Sequence, residues 1–199
     1  MKYSKSPLVG MGSMLMLSLL LTGCGMQSIP TALNEVEATW SEVLNQYKRR
    51  SDLIPNLVNI VKGYASHEKE TLQAVVEARA KATQTQVSSG QLTPESMNRF
   101  SQAQAGLGSA LSRLMVVVER YPDLKANENF RDLQVQLEGT ENRITIARQR
   151  YIQSIKEFNN LVTVPPTSWY NALFLNHDKK PQFSVVDEAE IQQAPAVEF

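Results

Sequence analysis

Four successive stretches of this chain carry apolar residues every seven positions with a second set interleaved, and that spacing leaves helices as the only regular structure that can use it. Between residues 31 and 64, Leu33, Trp40, Tyr47, Ile54 and Val61 occupy one heptad position, and Val36, Val43, Leu57 and Tyr64 the other. The pattern continues past Pro55, which removes one backbone hydrogen bond and crowds the preceding turn. The spacing therefore predicts one long helix that bends near Asp52 rather than ending there.

Gly63 and Ser66 mark the next boundary, with Ser66 placed to cap a second helix and Glu68 and Glu70 near its positive end. That helix runs to about Val87, with Leu72, Val75, Val76 and Arg79 inward and Lys69, Glu77 and Lys81 toward water. After Ser88-Ser89-Gly90, Thr93-Pro94-Glu95 reads as a helix start, because Thr accepts from the free amides and Pro fits the first helical position. The third helix carries Phe100, Leu107, Leu114 and Tyr121, with Ala103, Ala110 and Val117 between them, and ends at Pro122. Gly106 and Gly108 within it read as close-packing positions. Asn127 caps a fourth, with Phe130, Leu137, Ile144, Tyr151 and Phe158 along its stripe, and Val164-Pro165-Pro166 closes it.

The fold expected is all-α: a long antiparallel four-helix bundle, up-down-up-down, over residues 31–162, with a mostly irregular, Pro-containing C-terminal tail over 163–199. Trp169, Tyr170, Leu173, Phe174 and Leu175 are too apolar for a plain linker. The tail is expected to fold back on the bundle; the alternative is an arm that offers Phe183 and the Pro195-to-Phe199 end to a partner.

Composition narrows the function. Twenty Lys and Arg balance twenty Asp and Glu, so there is no basic footprint for nucleic acid. His67 and His177 stand far apart without a metal-binding spacing, no Gly-x-Ser-x-Gly elbow occurs, and no phosphate-loop lysine follows a glycine run. The chain is expected to be no enzyme and to hold no cofactor or metal. Its one cysteine, Cys24, excludes an internal disulfide and needs its own explanation.

Lys2 and Lys5 precede an apolar run from Leu8 to Leu21 that is shorter than the ~20 residues needed to span a bilayer. Leu21-Thr22-Gly23-Cys24 resembles the lipobox of bacterial lipoproteins. That resemblance implies a signal peptide over 1–23, acyl chains such as palmitate on Cys24, and a lipidated tether over 24–30. Two or more acyl chains hold stably, at ~0.8 kcal/mol per buried methylene. The alternative is a free thiol behind an uncleaved signal anchor. Gly25, where inner-membrane lipoproteins often carry Asp, resembles the class sent to the periplasmic leaflet of the outer membrane in two-membrane hosts.

A second resemblance covers residues 35 to 199. Arg49-Arg50-Ser51-Asp52-Leu53-Ile54-Pro55-Asn56-Leu57-Val58, Val61-Lys62-Gly63-Tyr64-Ala65 and His67-Glu68-Lys69-Glu70-Thr71-Leu72 are similar to the signature of the LemA family. Glu77-Ala78-Arg79-Ala80, the run from Tyr121 to Phe130, Glu141-Asn142-Arg143-Ile144 and the Ala-Pro-x-Val-x-Phe ending follow in family order. The resemblance implies a membrane-anchored helical bundle facing away from the cytoplasm, of a family whose molecular activity is not established. Members commonly look anchored by an uncleaved transmembrane helix, so the lipobox here departs from the pattern.

One residue breaks the apolar stripe. Arg50 falls at an inward position between Val43 and Leu57, where an unpaired charge would cost several kcal/mol. If the first and fourth helices are antiparallel neighbours, positions adding to about 193 are level, which puts Arg50 opposite Glu141 and Asn142. A buried polar layer of Arg50, Glu141 and Asn142, joined by Arg79, is expected to fix helix register; the alternative is a ligand or partner site. The functional expectation is a non-enzymatic envelope scaffold or adaptor, tethered by lipid and holding a protein partner. A bundle that binds a small ligand or lipid in its interior is the alternative, and an envelope hydrolase with paired carboxylates the third.

Overall fold

The computed structural model describes residues 27–85 and 87–183. The lipobox, Cys24 and the Pro195-to-Phe199 ending lie outside the described residues. Within them every element is helical: α1 (Ser28–Tyr64), α2 (Lys69–Gln84), a short 3-10 turn (Ser89–Gln91), α3 (Pro94–Val118), α4 (Pro122–Ala126), α5 (Glu128–Thr163), α6 (Thr167–Tyr170) and a π-helical turn (Asn171–Leu175). The all-α expectation holds.

Local chemistry explains the helix ends. α1 starts three residues earlier than its heptads suggest, because Pro30 falls in the first turn, where a missing N–H costs no intrahelical bond. It continues without a break through Pro55. Thr93 caps α3 in a reciprocal box: its hydroxyl accepts from the Ser96 amide at 3.1 Å, and Ser96 Oγ accepts from the Thr93 amide at 2.9 Å. Asn127 caps α5 by accepting from the Phe130 amide at 3.0 Å. Ser66, by contrast, is no cap. It sits in an exposed turn closed by the Glu68 amide donating to the Ala65 carbonyl, and α2 begins only at Lys69. α2 also stops at Gln84 rather than Val87, because the Val87 carbonyl is taken by the Trp40 indole N–H at 2.8 Å.

The chain divides into two compact units, and α1 and α5 contribute residues to both. The larger contains described residues 39–152 and 181–183. Its core draws on Ile54, Leu57 and Val61 of α1, Leu72 and Val75 of α2, Leu107, Leu111 and Leu114 of α3, and Phe130, Leu133 and Leu137 of α5, all buried. Direction alternates along the chain. Glu42 meets Arg150, Arg50 meets Glu141 and Tyr64 meets Asn127, so residue numbers rise on α1 as they fall on α5. Glu68 meets Arg120 and Tyr121, which makes α2 and α3 antiparallel. Tyr47 against Phe100 and Arg50 against Gln104 make α1 and α3 parallel, as expected of diagonal partners in an up-down-up-down order.

At one end of this unit an aromatic group fills the space between helices. The Trp40 ring, fully buried, lies 5.4 Å from Phe100, 5.0 Å from Tyr151 and 6.0 Å from Phe183. Phe183 is thus packed against the bundle, and the Arg148 guanidinium lies 4.5 Å over its outer face. Two inward assignments and two close-packing ones fail. Val76 is half exposed, and Tyr64 is exposed with its hydroxyl accepting from Asn127 Nδ2. At Gly106 and Gly108 an added Cβ would meet nothing within 4 Å, so neither glycine marks a close helix approach.

The smaller unit contains described residues 27–38 and 153–180. Ile29, Val36, Ile155, Phe158 and Val162 are buried in it. The segment after Pro166 is helical through Leu175, more ordered than the irregular tail expected from its prolines. Two asparagines hold it. Asn171 donates to the His177 carbonyl at 2.9 Å and accepts its amide at 3.0 Å, while Asn159 of α5 makes the same pair of bonds with Lys180 at 3.0 and 2.8 Å. Side chains that mimic the backbone in this way satisfy a strand-like segment where no second strand is present.

Candidate functional site

Midway along the larger unit, the apolar core is interrupted by one layer of polar side chains. Arg50 is its centre. The guanidinium is almost wholly buried, with side-chain exposure of 5%. Nη1 donates to Glu141 Oε1 at 2.9 Å, and Nη2 donates both to the Gln104 backbone carbonyl at 3.3 Å and to Gln104 Oε1 through a short bond. The Tyr47 ring lies 5.1 Å beneath the guanidinium carbon. Glu141 is half exposed, so the charge of Arg50 is balanced by a carboxylate that keeps most of its hydration.

The layer extends to α2. Gln104 Nε2 donates to the Ala82 carbonyl at 3.3 Å, and Arg79 Nε donates to the Ser51 carbonyl at 2.8 Å. Ser51 and Thr83 share a hydroxyl hydrogen bond at 3.1 Å, and the Thr83 hydroxyl lies 2.9 Å from the Arg79 carbonyl, which it can engage as a donor. The four longest helices of the unit each contribute to this layer: Arg50 from α1, Arg79 from α2, Gln104 from α3 and Glu141 from α5.

Of the residues expected together, the structure joins Arg50 and Glu141 directly and brings Arg79 to the same level through Ser51. Asn142 is not part of the group. It is exposed on α5, one residue, or 100°, around the helix from Glu141. The residues missed from sequence are Gln104, Ser51 and Thr83. Two of them carried a signal: Gln104 lies four residues after Phe100 and three before Leu107, and Ser51 bears the same relation to Tyr47 and Ile54. A polar residue bracketed in this way lies on the buried face.

A cavity of about 290 Å³ opens beside the layer between α1, α2 and α3, lined by Tyr47, Ser51, Arg79, Thr83, Phe100 and Gln104. Its one carboxylate, Asp52, is engaged by Lys48 at 3.0 Å. A second groove of about 410 Å³ reaches Arg50 and Glu141 from the side of Gly108 and Leu111. Burial pushes the Tyr47 phenol above its ordinary pKa, against the lowering effect of Arg148 and Arg50, and burial also raises that of Tyr151. Both phenols keep their protons across the physiological range. Among the described residues no group of three His, Cys, Asp or Glu comes together to hold a metal ion, and no helix is long and apolar enough to cross a membrane.

Curated relatives match this chain in part. Magnetosome proteins MamQ 1 and MamQ 2 of Paramagnetospirillum magneticum are each 31% identical over 81 residues, covering 41% of this chain and 29% of theirs. Magnetosome protein MamQ of Magnetospirillum gryphiswaldense is 33% identical over 64 residues, covering 32% and 24%. The matched region thus spans less than a third of each relative's length. The LemA family model matches residues 39–199, which takes in the whole network around Arg50, and the chain belongs to the LemA family.

Proposed function

We propose that this protein is a non-enzymatic adaptor of the cell envelope, held to a membrane by acyl chains on Cys24 and facing away from the cytoplasm. The observation that carries the reading is that the central polar side chains of the bundle core are engaged across helices. Arg50, Arg79, Gln104 and Glu141 each bond to a neighbouring helix, which is what a register-fixing layer requires and leaves little for substrate. Exposed apolar side chains, Val116 on α3 and Val135 and Ile146 on α5, supply contact points for a protein partner. Partial likeness to magnetosome proteins fits a membrane-associated place for the chain. In a two-membrane host, Gly25 favours the periplasmic leaflet of the outer membrane.

The test has two arms. Fatty-acid labelling of wild type and Cys24→Ala is expected to mark only the former, and the variant to leave the membrane fraction. Photo-crosslinkers at positions 116, 135 and 146 in intact cells are expected to capture one recurrent envelope protein. Label on the Cys24→Ala chain, or no protein captured from any of the three positions, overturns the reading.

A second reading rests on the cavity beside Gln104. Its volume suits a ligand of modest size, and its lining mixes an aromatic wall of Tyr47 and Phe100 with the Arg79, Thr83 and Ser51 polar groups. Native mass spectrometry of protein purified from its host is expected to show the ligand as added mass that is absent from a cavity-filling Ala82→Phe variant.

A further inference from the structure

The smaller unit holds three large apolar side chains in water. Trp169, Leu173 and Phe174 are 65%, 76% and 71% exposed, on a segment that is not loose: Asn171 is buried and bonded twice to His177, and the Asn176 amide donates to the Asn171 carbonyl at 2.7 Å. Exposed apolar groups on a segment held by buried hydrogen bonds form a presented surface. The same unit contains the first turn of α1, whose Ile29 is fully buried. From Cys24 to Ser28 the chain can extend at most about 14 Å, and a unit of roughly forty residues has a radius of gyration near 9 Å. A membrane tether at Cys24 therefore holds this unit against the lipid headgroups.

We propose that Trp169, Leu173 and Phe174 form a membrane-docking patch that enters the interfacial layer of the bilayer. The proposal rests on the amino-terminal tether of the proposed function, and it stands also on an uncleaved Leu8-to-Leu21 segment, which enters the unit at Ser28 after at most about 25 Å of chain. Trp prefers the headgroup level, where its ring body is dehydrated and its indole N–H stays solvated; Leu and Phe enter slightly deeper. Charge in the unit nearly balances, Lys156, Lys179 and Lys180 against Glu35, Glu37, Glu157 and Asp178, so docking relies on apolar contact and needs no anionic lipid. The occupant is a lipid surface.

The chain has two tryptophans, Trp40 fully buried in the larger unit and Trp169 in the patch, so emission of the full chain minus that of Trp169→Phe isolates the reporter. On phosphatidylcholine vesicles carrying the anchored protein, Trp169 emission is expected to shift to the blue. It should also be quenched at least twofold by acyl chains brominated near the headgroup, become several-fold less accessible to aqueous iodide, and be indifferent to salt. In Leu173→Ser/Phe174→Ser, with helicity unchanged by circular dichroism, Trp169 should return to water. Equal iodide quenching in detergent-free vesicles and in solution overturns the proposal. So does a blue shift that grows with protein concentration without lipid, which assigns the patch to a second copy. The mass of the mature amino terminus in the same sample reports on Cys24 separately, so loss of the acyl reading and loss of the docking patch are distinguishable.

Discussion

Gln104 holds Arg50 twice, through its backbone carbonyl and through its side-chain oxygen, while its amide nitrogen reaches on to the Ala82 carbonyl of α2. This makes a neutral residue, more than the carboxylate of Glu141, the partner on which the buried charge depends. Glu141 is half in water and loses little hydration.

The two partners should therefore differ on substitution. Gln104→Leu leaves the guanidinium short of an acceptor in a buried setting and is expected to cost about 2–3 kcal/mol. Glu141→Gln keeps an acceptor at the rim and should cost less than about 1 kcal/mol. Urea unfolding of the two variants checks the order; a larger loss at Glu141 contradicts it.

Trp40→Phe keeps most of the ring packing but removes the indole N–H that fixes the Val87 carbonyl. The expected cost is about 1–3 kcal/mol, for the orphaned carbonyl and for the volume lost among Phe100, Tyr151 and Phe183. Amide exchange should speed up in residues 84–92, which is the readout that separates the lost hydrogen bond from general destabilisation.

Replacing Gly106, Gly108 or Gly139 by Ala should stabilise the protein by about 0.5–1 kcal/mol each. All three lie within helices, an added Cβ would meet no atom within 4 Å, and Ala lowers the entropy of the unfolded chain. Thermal melts check this. A fall in melting temperature at Gly106 or Gly108 would return that glycine to the close-packing role that its sequence context suggests.

Alkaline pH should weaken the fold through its buried phenols. Tyr47 and Tyr151 both hold their protons more tightly in the folded chain than in the unfolded one, where phenols ionise near pH 10. The native state therefore binds the extra protons, and the stability they contribute is present below about pH 10 and lost as pH rises beyond it. Denaturation midpoints measured from about pH 9 to about pH 11.5 should fall in wild type and fall less in Tyr151→Phe.

The helices were legible because burial of one stripe per helix is a repeated, local demand: Val36, Trp40, Val43, Ile54, Leu57 and Val61 all lie in the core where the heptads put them. The same reasoning reached Arg50 and Glu141, because a charge on a buried stripe must be met by something level with it. It failed where the decision is made by a partner far along the chain. Ser66 has the chemistry of a cap, but Glu68 is drawn to Arg120 and Tyr121, just past the end of α3, and the turn closes differently. Val76 fits the period of α2 yet faces outward, since the buried line of that helix runs through Leu72, Val75 and Ala82. Gln104 was overlooked because amides are ordinary on helix surfaces, and only its bracketing by Phe100 and Leu107 marked it as inward. Asn142 was included because the expected level of α5 carried no information about rotation around its axis.

The placement of a charged seam in a largely greasy interior also limits how the chain can change over generations. Sliding α1, α3 or α5 by a turn would part the guanidinium from one or more of its acceptors, so misaligned assemblies are rejected from within, whatever decorates the outside. Outer faces are in that sense free to drift toward new associates, because correct assembly is guarded mainly from the interior.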